Sequence, residues 1–185
     1  MPPERVGEVY GAVMDLLLEV GYESLTMDAV AARARSSKTT LYRQWNGKPE
    51  LVASALRHAG PVPTADVDTG SLRGDLLALT ARPRDDVERD AAIVRAMTQA
   101  AANNPDLDRA LHELIFEPAL YAFEAALDRA LRRGEVDPNT PAVALLPHML
   151  VGAATARPRV EHQPPDAAYM TRYIDAVVLP ALRLT

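Results

Sequence analysis

The sequence predicts an all-α protein of about nine helices, divided between a small N-terminal domain and a larger C-terminal domain. Apolar residues recur at intervals of three and four along nearly the whole chain, which is the period of an amphipathic helix. No alternating pattern typical of a β-strand extends beyond four residues. The clearest break is a stretch rich in proline, glycine and aspartate at residues 60–70. We therefore expect one domain at residues 1–58 and the other at residues 59–185.

The first four predicted helices have recognisable starts and stops. The first ends at Gly21, because glycine commonly terminates helices. Thr26 is suited to cap a short second helix, and Ser37 to cap a third. Asn46-Gly47 ends the third, and Pro49 fits the first turn of a fourth, where its missing N–H has no partner. The apolar stripe of the first helix consists of Val6, Val9, Tyr10, Val13, Leu16, Leu17 and Val20, and the buried faces of the next two include Val30, Ala31, Leu41 and Trp45.

Beyond residue 70 the periodicity predicts five further helical segments. Gly134 follows two arginines and suits the C-terminal end of the third segment. Pro118 and Pro147 lie inside predicted helices, so each predicts a kink, a split or a helix boundary. Another loop is expected from Arg157 to Pro165. The five segments lie near residues 71–81, 87–103, 106–133, 140–157 and 166–183.

The composition is that of an ordinary soluble globular protein, 48% hydrophobic and 24% charged. No stretch is apolar over the roughly 18 residues that a membrane span needs. The mixed sequence that follows Met1 is unlike a secretory signal. The chain has no cysteine, which excludes disulfides and thiolate metal sites and suits the cytoplasm, where we expect the protein to act.

Charge is distributed unevenly along the chain. The net charge is −5, but residues 24–48 hold five basic residues and one acidic residue, Asp28. A short basic patch on an otherwise acidic chain favours contact with nucleic acid through one element and disfavours general binding of polyanions. The five basic residues are Arg33, Arg35, Lys38, Arg43 and Lys48.

Residues 25–45 follow the plan of a helix-turn-helix, in which two short helices are joined by a turn of about three or four residues. The second helix of such a motif can enter the major groove of DNA. The outward positions of this helix have side chains that can reach phosphates or base edges. These positions are Lys38, Thr39, Tyr42 and Arg43.

The run SKTTLYRQWNGKPEL at residues 37–51, with Ala-Val-Ala at residues 29–31 before it, resembles the DNA-binding signature of the TetR family of bacterial repressors. The similarity covers roughly residues 4–58. Thr39 stands where a glycine is frequent, and Trp45, which we expect to be core, stands where phenylalanine is usual. Arg133–Val136, ahead of the last two helices, resembles C-terminal domains common in actinobacterial members. The resemblance implies a ligand-responsive repressor that binds a palindromic DNA operator as a homodimer.

The resemblance also implies a role for each matching position of the motif. Base readers would be Lys38, Thr39, Tyr42 and Arg43. Phosphate contacts would come mostly from Thr26, Ser36, Ser37, Thr40, Tyr42, Gln44 and Lys48.

The last two predicted helices carry broad apolar stripes. Such stripes also occur in an ordinary core. The resemblance implies that these helices pair with their mates across a two-fold axis as a four-helix bundle. The expected interface residues are Leu146, Met149, Leu150, Ala153, Tyr169, Met170, Tyr173, Ile174, Val177 and Val178.

In relatives, the helices that correspond to about residues 71–133 surround a ligand chamber, so the resemblance implies an unidentified small-molecule effector. The alternative for Glu117, and for nearby His112, is a place on the protein surface. The expected effector contacts are Arg95, Thr98, Gln99, Glu117, Tyr121 and His148.

An enzyme is the first rival interpretation, and the sequence gives it little support. It has no zinc-protease, nucleophile-elbow, phosphate-loop or dinucleotide motif. The four histidines are scattered without metal-ligand spacing. We therefore expect no catalysis, no cofactor and no metal. A helical protein-interaction module, or an activator without a small-molecule effector, remains open as the alternative function.

Overall fold

A computed structural model describes residues 1–59, 66–81, 93, 96–97 and 99–182. None of these residues lies in a β-strand, which confirms the predicted all-α class. The chain divides into two compact units, one of Met1–Val62 with Ala92–Glu117 and one of Pro63–Ala91 with Pro118–Thr185. The first unit thus includes residues beyond 58, and the domain boundary proposed between residues 58 and 59 stays a prediction.

Ten α-helices and two π-helical turns are seen in the described residues. The predicted segment at 87–103 lies largely outside them, although residues 93, 96–97 and 99–101 are helical. No described helix is both long enough and apolar enough to cross a membrane. The helices are α1 (Pro3–Ser24), α2 (Met27–Arg33), α3 (Lys38–Gln44), α4 (Lys48–Ala59), α5 (Leu72–Thr80), α6 (Pro105–Leu111), α7 (Glu117–Arg132), α8 (Ala142–Val160), α9 (Ala167–Tyr173) and α10 (Leu179–Leu182), and the π-helical turns are His112–Phe116 and Ile174–Val178.

The predicted stops and caps of the first unit are confirmed. Gly21 leaves helical geometry at φ 75°, a left-handed conformation that suits glycine. The Thr26 hydroxyl accepts the backbone N–H of Ala29 at 3.1 Å, and the Ser37 hydroxyl accepts that of Thr40 at 3.0 Å. One part of the α1 stripe is wrong, because Val20 is 47% exposed in the last turn before the chain departs from the helix at Gly21.

The turn between α2 and α3 holds a strained residue. Arg35 has φ 48°, a left-handed conformation that costs a residue with a side chain about 1–2 kcal/mol. The N–H of Ser36 bonds to the carbonyl of Ala31 at 2.9 Å across this turn. The Arg5 guanidinium donates to the carbonyls of Ala34 and Arg35 at 3.0 and 3.1 Å. The start of α1 therefore holds the turn that sets the direction of α3.

Helix α4 lies at the centre of the first unit. It packs against α1, against α6 and against the π-helical turn at His112–Phe116. Leu41 and Trp45 of the third helical segment are buried, as predicted, and so is Leu107 of α6. The helix-turn-helix and α6 therefore share one hydrophobic core.

The second unit is built from α5, α7, α8, α9 and α10 around a second hydrophobic core. A fully buried carboxylate, Asp75, lies beside it and accepts the backbone N–H of Thr69 at 2.6 Å and its hydroxyl at 2.8 Å. Arg129 of α7 donates to the same carboxylate at 3.2 Å. This network ties the loop before α5 to α7. The largest fully buried side chains of this core are Leu76, Leu146, Leu150, Ile174 and Leu182.

Two prolines coincide with a local change of helix type. Pro118 and Pro180 each follow directly after a residue whose N–H bonds five residues back, Glu117 to His112 and Leu179 to Ile174. Proline has no N–H and its ring crowds the carbonyl four residues earlier, so a wider turn relieves the crowding. The predicted segment 106–133 is accordingly α6, a π-helical turn and α7 in succession.

The two prolines inside α8 do not interrupt this helix. Pro147 lies inside α8 without splitting it, so the alternatives of a split or a boundary at that position are wrong. Pro158 is also inside α8, which continues to Val160, so the loop predicted from Arg157 begins too early. The buried guanidinium of Arg157 donates to the side chains of Gln163 and Asp166 at 2.9 Å each, which fastens the following loop to the end of α8.

Candidate nucleic-acid interface

Helix α3 separates an inward face from an outward one. Leu41 is fully buried, whereas the side chain of Tyr42 is 52% exposed. Every expected base reader is exposed, which leaves its polar atoms accessible to a ligand in solvent. These residues are Lys38, Thr39, Tyr42 and Arg43.

The hydroxyl groups at the starts of α2 and α3 have local partners. Because Thr26 uses its oxygen to cap α2, its hydroxyl proton can still be donated to a phosphate. The hydroxyls of Ser37 and Thr40 lie 2.7 Å apart, so one donates to the other and the pair retains one proton for an outside acceptor. Ser36 is half-buried, and Gln44 is exposed.

Two cations of the basic patch are already paired with carboxylates. Arg33 donates to both carboxylate oxygens of Glu19 at 2.6 and 2.7 Å, and this side-chain bond raises the pKa of Arg33. The Lys38 ammonium lies 2.9 Å from Asp28, whose hydrogen bond raises the pKa of Lys38. The sequence shows five cations, but these two positive charges are compensated within the protein.

Lys48 has a different environment from the one expected of a phosphate contact. Its ammonium donates to the carbonyls of Tyr22 at 2.9 Å, Leu25 at 3.1 Å and Glu23 at 3.3 Å. It also lies 4.2 Å from the centre of the Tyr22 ring, and burial lowers the pKa of the lysine. An ammonium has three protons, so these carbonyls use all its donors. In this structure Lys48 caps the C-terminal end of α1, and its expected phosphate contact stays a prediction.

Arg35 and Arg43 are the two cations of the patch whose side chains bond to no other residue in the part of the chain that the structure describes. Both are exposed. Arg43 lies on the outward face of α3, so the uncompensated positive charge of this helix comes from its side chain.

Sequence reasoning missed three residues that shape this region. Arg5 holds the turn before α3, and Asp28 binds an expected base reader. Tyr22 is 3% exposed, and its hydroxyl has no hydrogen-bond partner among the described residues. Burial, with the nearby charges of Glu23 and Asp106, raises the pKa of Tyr22 to about 12. Opposite charges on α2 and α3 are a sequence signal for the Asp28 contact, but Arg5 donates to backbone carbonyls and Tyr22 is uncharged, so charge gives no signal for these two.

Six of the ten expected interface residues are buried within the core of their own chain, where they have almost no surface left for a partner. Met149, Tyr169 and Tyr173 are partly exposed, and Val177 is 41% exposed. The inward positions of the apolar stripes therefore build the monomer. The six are Leu146, Leu150, Ala153, Met170, Ile174 and Val178.

The four expected effector contacts that the structure describes are all exposed, and their role stays a prediction. Arg95 and Thr98 lie outside the described residues, and Gln99 and His148 are exposed. Tyr121 is 66% exposed. Glu117 lies 3.7 Å from His112 on the surface, as the alternative interpretation expected. Two shallow cavities of about 260 and 210 Å³ in the second unit are lined by none of the six residues.

Two family models match the chain over most of its length. Residues 11–55 match the model described as bacterial regulatory proteins, tetR family. Residues 66–177 match the model described as Tetracyclin repressor-like, C-terminal domain. The first range contains the helix-turn-helix, and the second contains α5 to α9 with part of the second π-helical turn.

Individual relatives agree with these matches. An uncharacterized HTH-type transcriptional regulator of Mycobacterium tuberculosis is 33% identical over 96% of this chain and 88% of its own length. The DNA-binding transcriptional repressor TetR of Mycobacteroides abscessus is 31% identical over 97% of this chain and 94% of its own. The crystal structure of the TetR family transcription regulator SCO0332 superposes with a TM-score of 0.70 at 30% identity, covering 98% of this chain and 100% of that chain.

Proposed function

The chain belongs to the TetR family of DNA-binding transcriptional regulators, which are not enzymes, and from this premise we propose that it is a ligand-responsive repressor that binds a palindromic operator as a homodimer. The observation that carries the proposal is the outward face of α3, where Tyr42 and Arg43 are exposed opposite the buried Leu41. The protein acts in the cytoplasm, where it meets its operator.

We assign the contacts with base edges to the four outward residues of α3, which are Lys38, Thr39, Tyr42 and Arg43. Arginine can donate two hydrogen bonds to a guanine edge in the major groove, and tyrosine and threonine can donate to phosphates or contact a thymine methyl group. The hydroxyls of Thr26, Ser36, Ser37 and Thr40 and the amide of Gln44 supply neutral donors to the phosphates. In this proposal Lys48 stabilises the C-terminal end of α1, where its ammonium donates to the carbonyl of Tyr22, and does not bind a phosphate.

Dimerisation gives the protein the symmetry of a palindromic site. In a two-fold dimer each recognition helix meets one half-site, and the half-sites are separated by about one turn of DNA or a multiple of it. Partly exposed apolar side chains on α8, on α9 and in the second π-helical turn support an interface on these elements. The candidates are Met149, Tyr169, Tyr173 and Val177.

For an effector to regulate DNA binding, a change in helix positions must reach the helix-turn-helix. Within the first unit, α4 can transmit such a change. It packs against α1, against α6 and against the π-helical turn at His112–Phe116. A ligand that shifts α6 would therefore displace α4 and, through the shared core, the recognition helix. The proposed effector contacts are Arg95, Thr98, Gln99, Glu117, Tyr121 and His148. The repressor sign of regulation is supported by the name of the Mycobacteroides abscessus relative.

The test is a mobility-shift titration of the purified protein with the DNA upstream of its own gene. Arg43→Ala and Tyr42→Ala should each weaken binding by a factor corresponding to about 1–3 kcal/mol, while helicity is retained. Arg132→Ala, an exposed arginine on α7, is the matched control and should bind like the wild type. Unchanged binding by both α3 variants would contradict the assignment of α3 as the recognition helix.

The dimer and the effector are tested separately. Sedimentation equilibrium of the free protein should give twice the 20.1 kDa mass of the chain. Val177→Glu, which puts a charge on an exposed apolar position, should shift that mass toward the monomer without unfolding it. A reporter gene fused to the upstream DNA should be expressed more strongly when the regulator is deleted, and weaker expression would identify an activator.

A further inference from the structure

One base-reading position, Lys38, is held by a carboxylate of the same motif. Asp28 is in the first turn of α2, and Lys38 is the first residue of α3. The Lys38 Nζ lies 2.9 Å from Asp28 Oδ2, and the two side chains are 51% and 70% exposed. The pair therefore joins the starts of the two helices on the surface that carries the expected DNA contacts.

The ion pair changes what Lys38 can offer to DNA. A free lysine that neutralises a phosphate releases a counterion and strengthens binding to any DNA sequence. A lysine held by a carboxylate adds no net charge to the interface, because the pair contains one charge of each sign. The phosphates of DNA attract the lysine and repel its partner. Exposed ion pairs of this kind contribute little to folding stability, so this pair has little role in holding α2 to α3.

The carboxylate also selects among base edges. An ionised aspartate only accepts hydrogen bonds, and the donors on the major-groove edges are the amino groups of cytosine and adenine. Guanine presents two acceptors there, which suit Lys38 and oppose Asp28. A base pair that supplies partners to both side chains is therefore favoured over the uniform phosphate backbone.

We propose that Asp28 is a specificity-determining residue of the DNA-binding surface, which holds Lys38 and suppresses its contribution to sequence-independent binding. The proposal rests on the proposed function, because it assigns a role within the DNA interface. Asp28 lowers the affinity for random DNA and so widens the difference between operator and random sequence. It acts in both copies of a dimer.

The experiment measures binding of the full-length protein to a random-sequence duplex by fluorescence anisotropy at several salt concentrations. Asp28→Asn keeps the side-chain shape and removes the charge. The variant should bind the random duplex more tightly, with a salt dependence steeper by about 0.9 per protomer in the log–log slope. Between about 50 and 200 mM salt, its advantage over the wild type should shrink about threefold per protomer.

Two further variants identify the cause of a change. Glu19→Gln releases Arg33 from its own ion pair and changes the net charge by the same amount, so it is the matched control and should leave the slope as in the wild type. In a Lys38→Met background, Asp28→Asn should no longer steepen the slope. An equal effect of Glu19→Gln, or an effect of Asp28→Asn that persists without Lys38, would overturn the proposal.

Specificity is measured with a duplex enriched from random DNA by binding to the wild-type protein. The ratio of affinities for the enriched and random duplexes should fall in Asp28→Asn, because binding to random DNA rises. A ratio that stays constant or increases would overturn the proposal. A wild-type protein that binds neither duplex would instead contradict the proposed function, so the two failures are distinguishable.

Discussion

Lys48 and Arg43 both belong to the basic patch of the N-terminal unit, yet their surroundings differ. The Lys48 ammonium donates to three backbone carbonyls at the end of α1, whereas the side chain of Arg43 is exposed on α3 and bonds to no other described residue. A hydrogen bond from a charged group to a partly buried acceptor stabilises the fold, and an unpaired surface arginine is available to DNA. The two residues should therefore respond differently to the same substitution.

Lys48→Met removes the charge and keeps the apolar stem. We expect a loss of about 2 kcal/mol in the free energy of unfolding, because the carbonyls at the end of α1 lose a charged donor. The salt dependence of DNA binding should keep its slope. Arg43→Met should leave the free energy of unfolding within about 0.5 kcal/mol of wild type. It should lower the log–log slope of the salt dependence of DNA binding by about 0.9 per protomer. Urea unfolding and anisotropy titrations measure both quantities, and an equal loss of slope in the two variants would make Lys48 a phosphate contact.

Asp75 should make the second unit sensitive to acid. Burial raises the pKa of this carboxyl. The N–H and hydroxyl of Thr69 and the guanidinium of Arg129 together lower the pKa by more than burial raises it, so the net pKa lies below the usual 3.8. The ionised carboxylate therefore adds stability above pH 3.8 that is lost as the pH falls through the lower, folded-state pKa.

Asp75→Asn should lower the free energy of unfolding by about 3 kcal/mol at neutral pH, because a buried ion pair loses one partner. The deficit relative to wild type should shrink as the pH falls below 3.8, since the wild type then loses the same contribution. Urea unfolding monitored by circular dichroism across this range measures the difference. A deficit that is independent of pH would show that the charge of Asp75 is not what stabilises the unit.

At the scale of helices and turns, the sequence predicted helix ends correctly where a single residue and its nearest neighbours determine the end. Gly21, Thr26 and Ser37 act at helix ends through their own backbone or the next turn, so their positions could be predicted from residue type. Proline by its residue type alone does not decide the outcome, because α8 continues through Pro158 whereas π-helical turns precede Pro118 and Pro180. The sequence therefore predicted a disturbance at Pro118 but not its kind.

The turn between α2 and α3 gives a prediction at this scale. Arg35→Gly should raise the free energy of unfolding by about 0.5–1 kcal/mol, because glycine adopts φ 48° without strain but orders a more flexible chain. Arg35→Ala is the matched control, since it removes the same charge and keeps the Cβ atom. A comparison of urea midpoints separates the two variants. An Arg35→Gly variant no more stable than Arg35→Ala would mean that the strain of the left-handed conformation does not exceed the cost of ordering a glycine.

At the scale of the whole molecule, periodicity predicted the all-α class, and the residue order of the motif predicted the family. The apolar stripes of the last helices could not distinguish a core from an interface, because burial within one chain and burial between chains select the same residues. The structure separates them in part, since Leu146 and Ile174 are fully buried in the monomer and Val177 is exposed. The expected effector contacts stay a prediction, because a pocket is formed by residues from distant segments and periodicity does not show how these segments are arranged.

The central claim is that the outward face of α3 meets DNA in two symmetric copies. Because the chain has no cysteine, Thr39→Cys creates a single attachment point for an iron chelate that cleaves nearby DNA. On the DNA upstream of the gene, the labelled protein should cleave in two clusters related by a dyad and separated by about one helical turn or a multiple of it. Leu18→Cys, exposed on α1, is the matched control and should cleave weakly. Cleavage by the Thr39→Cys conjugate that is no stronger than the control, or that lacks two-fold symmetry, would contradict the account.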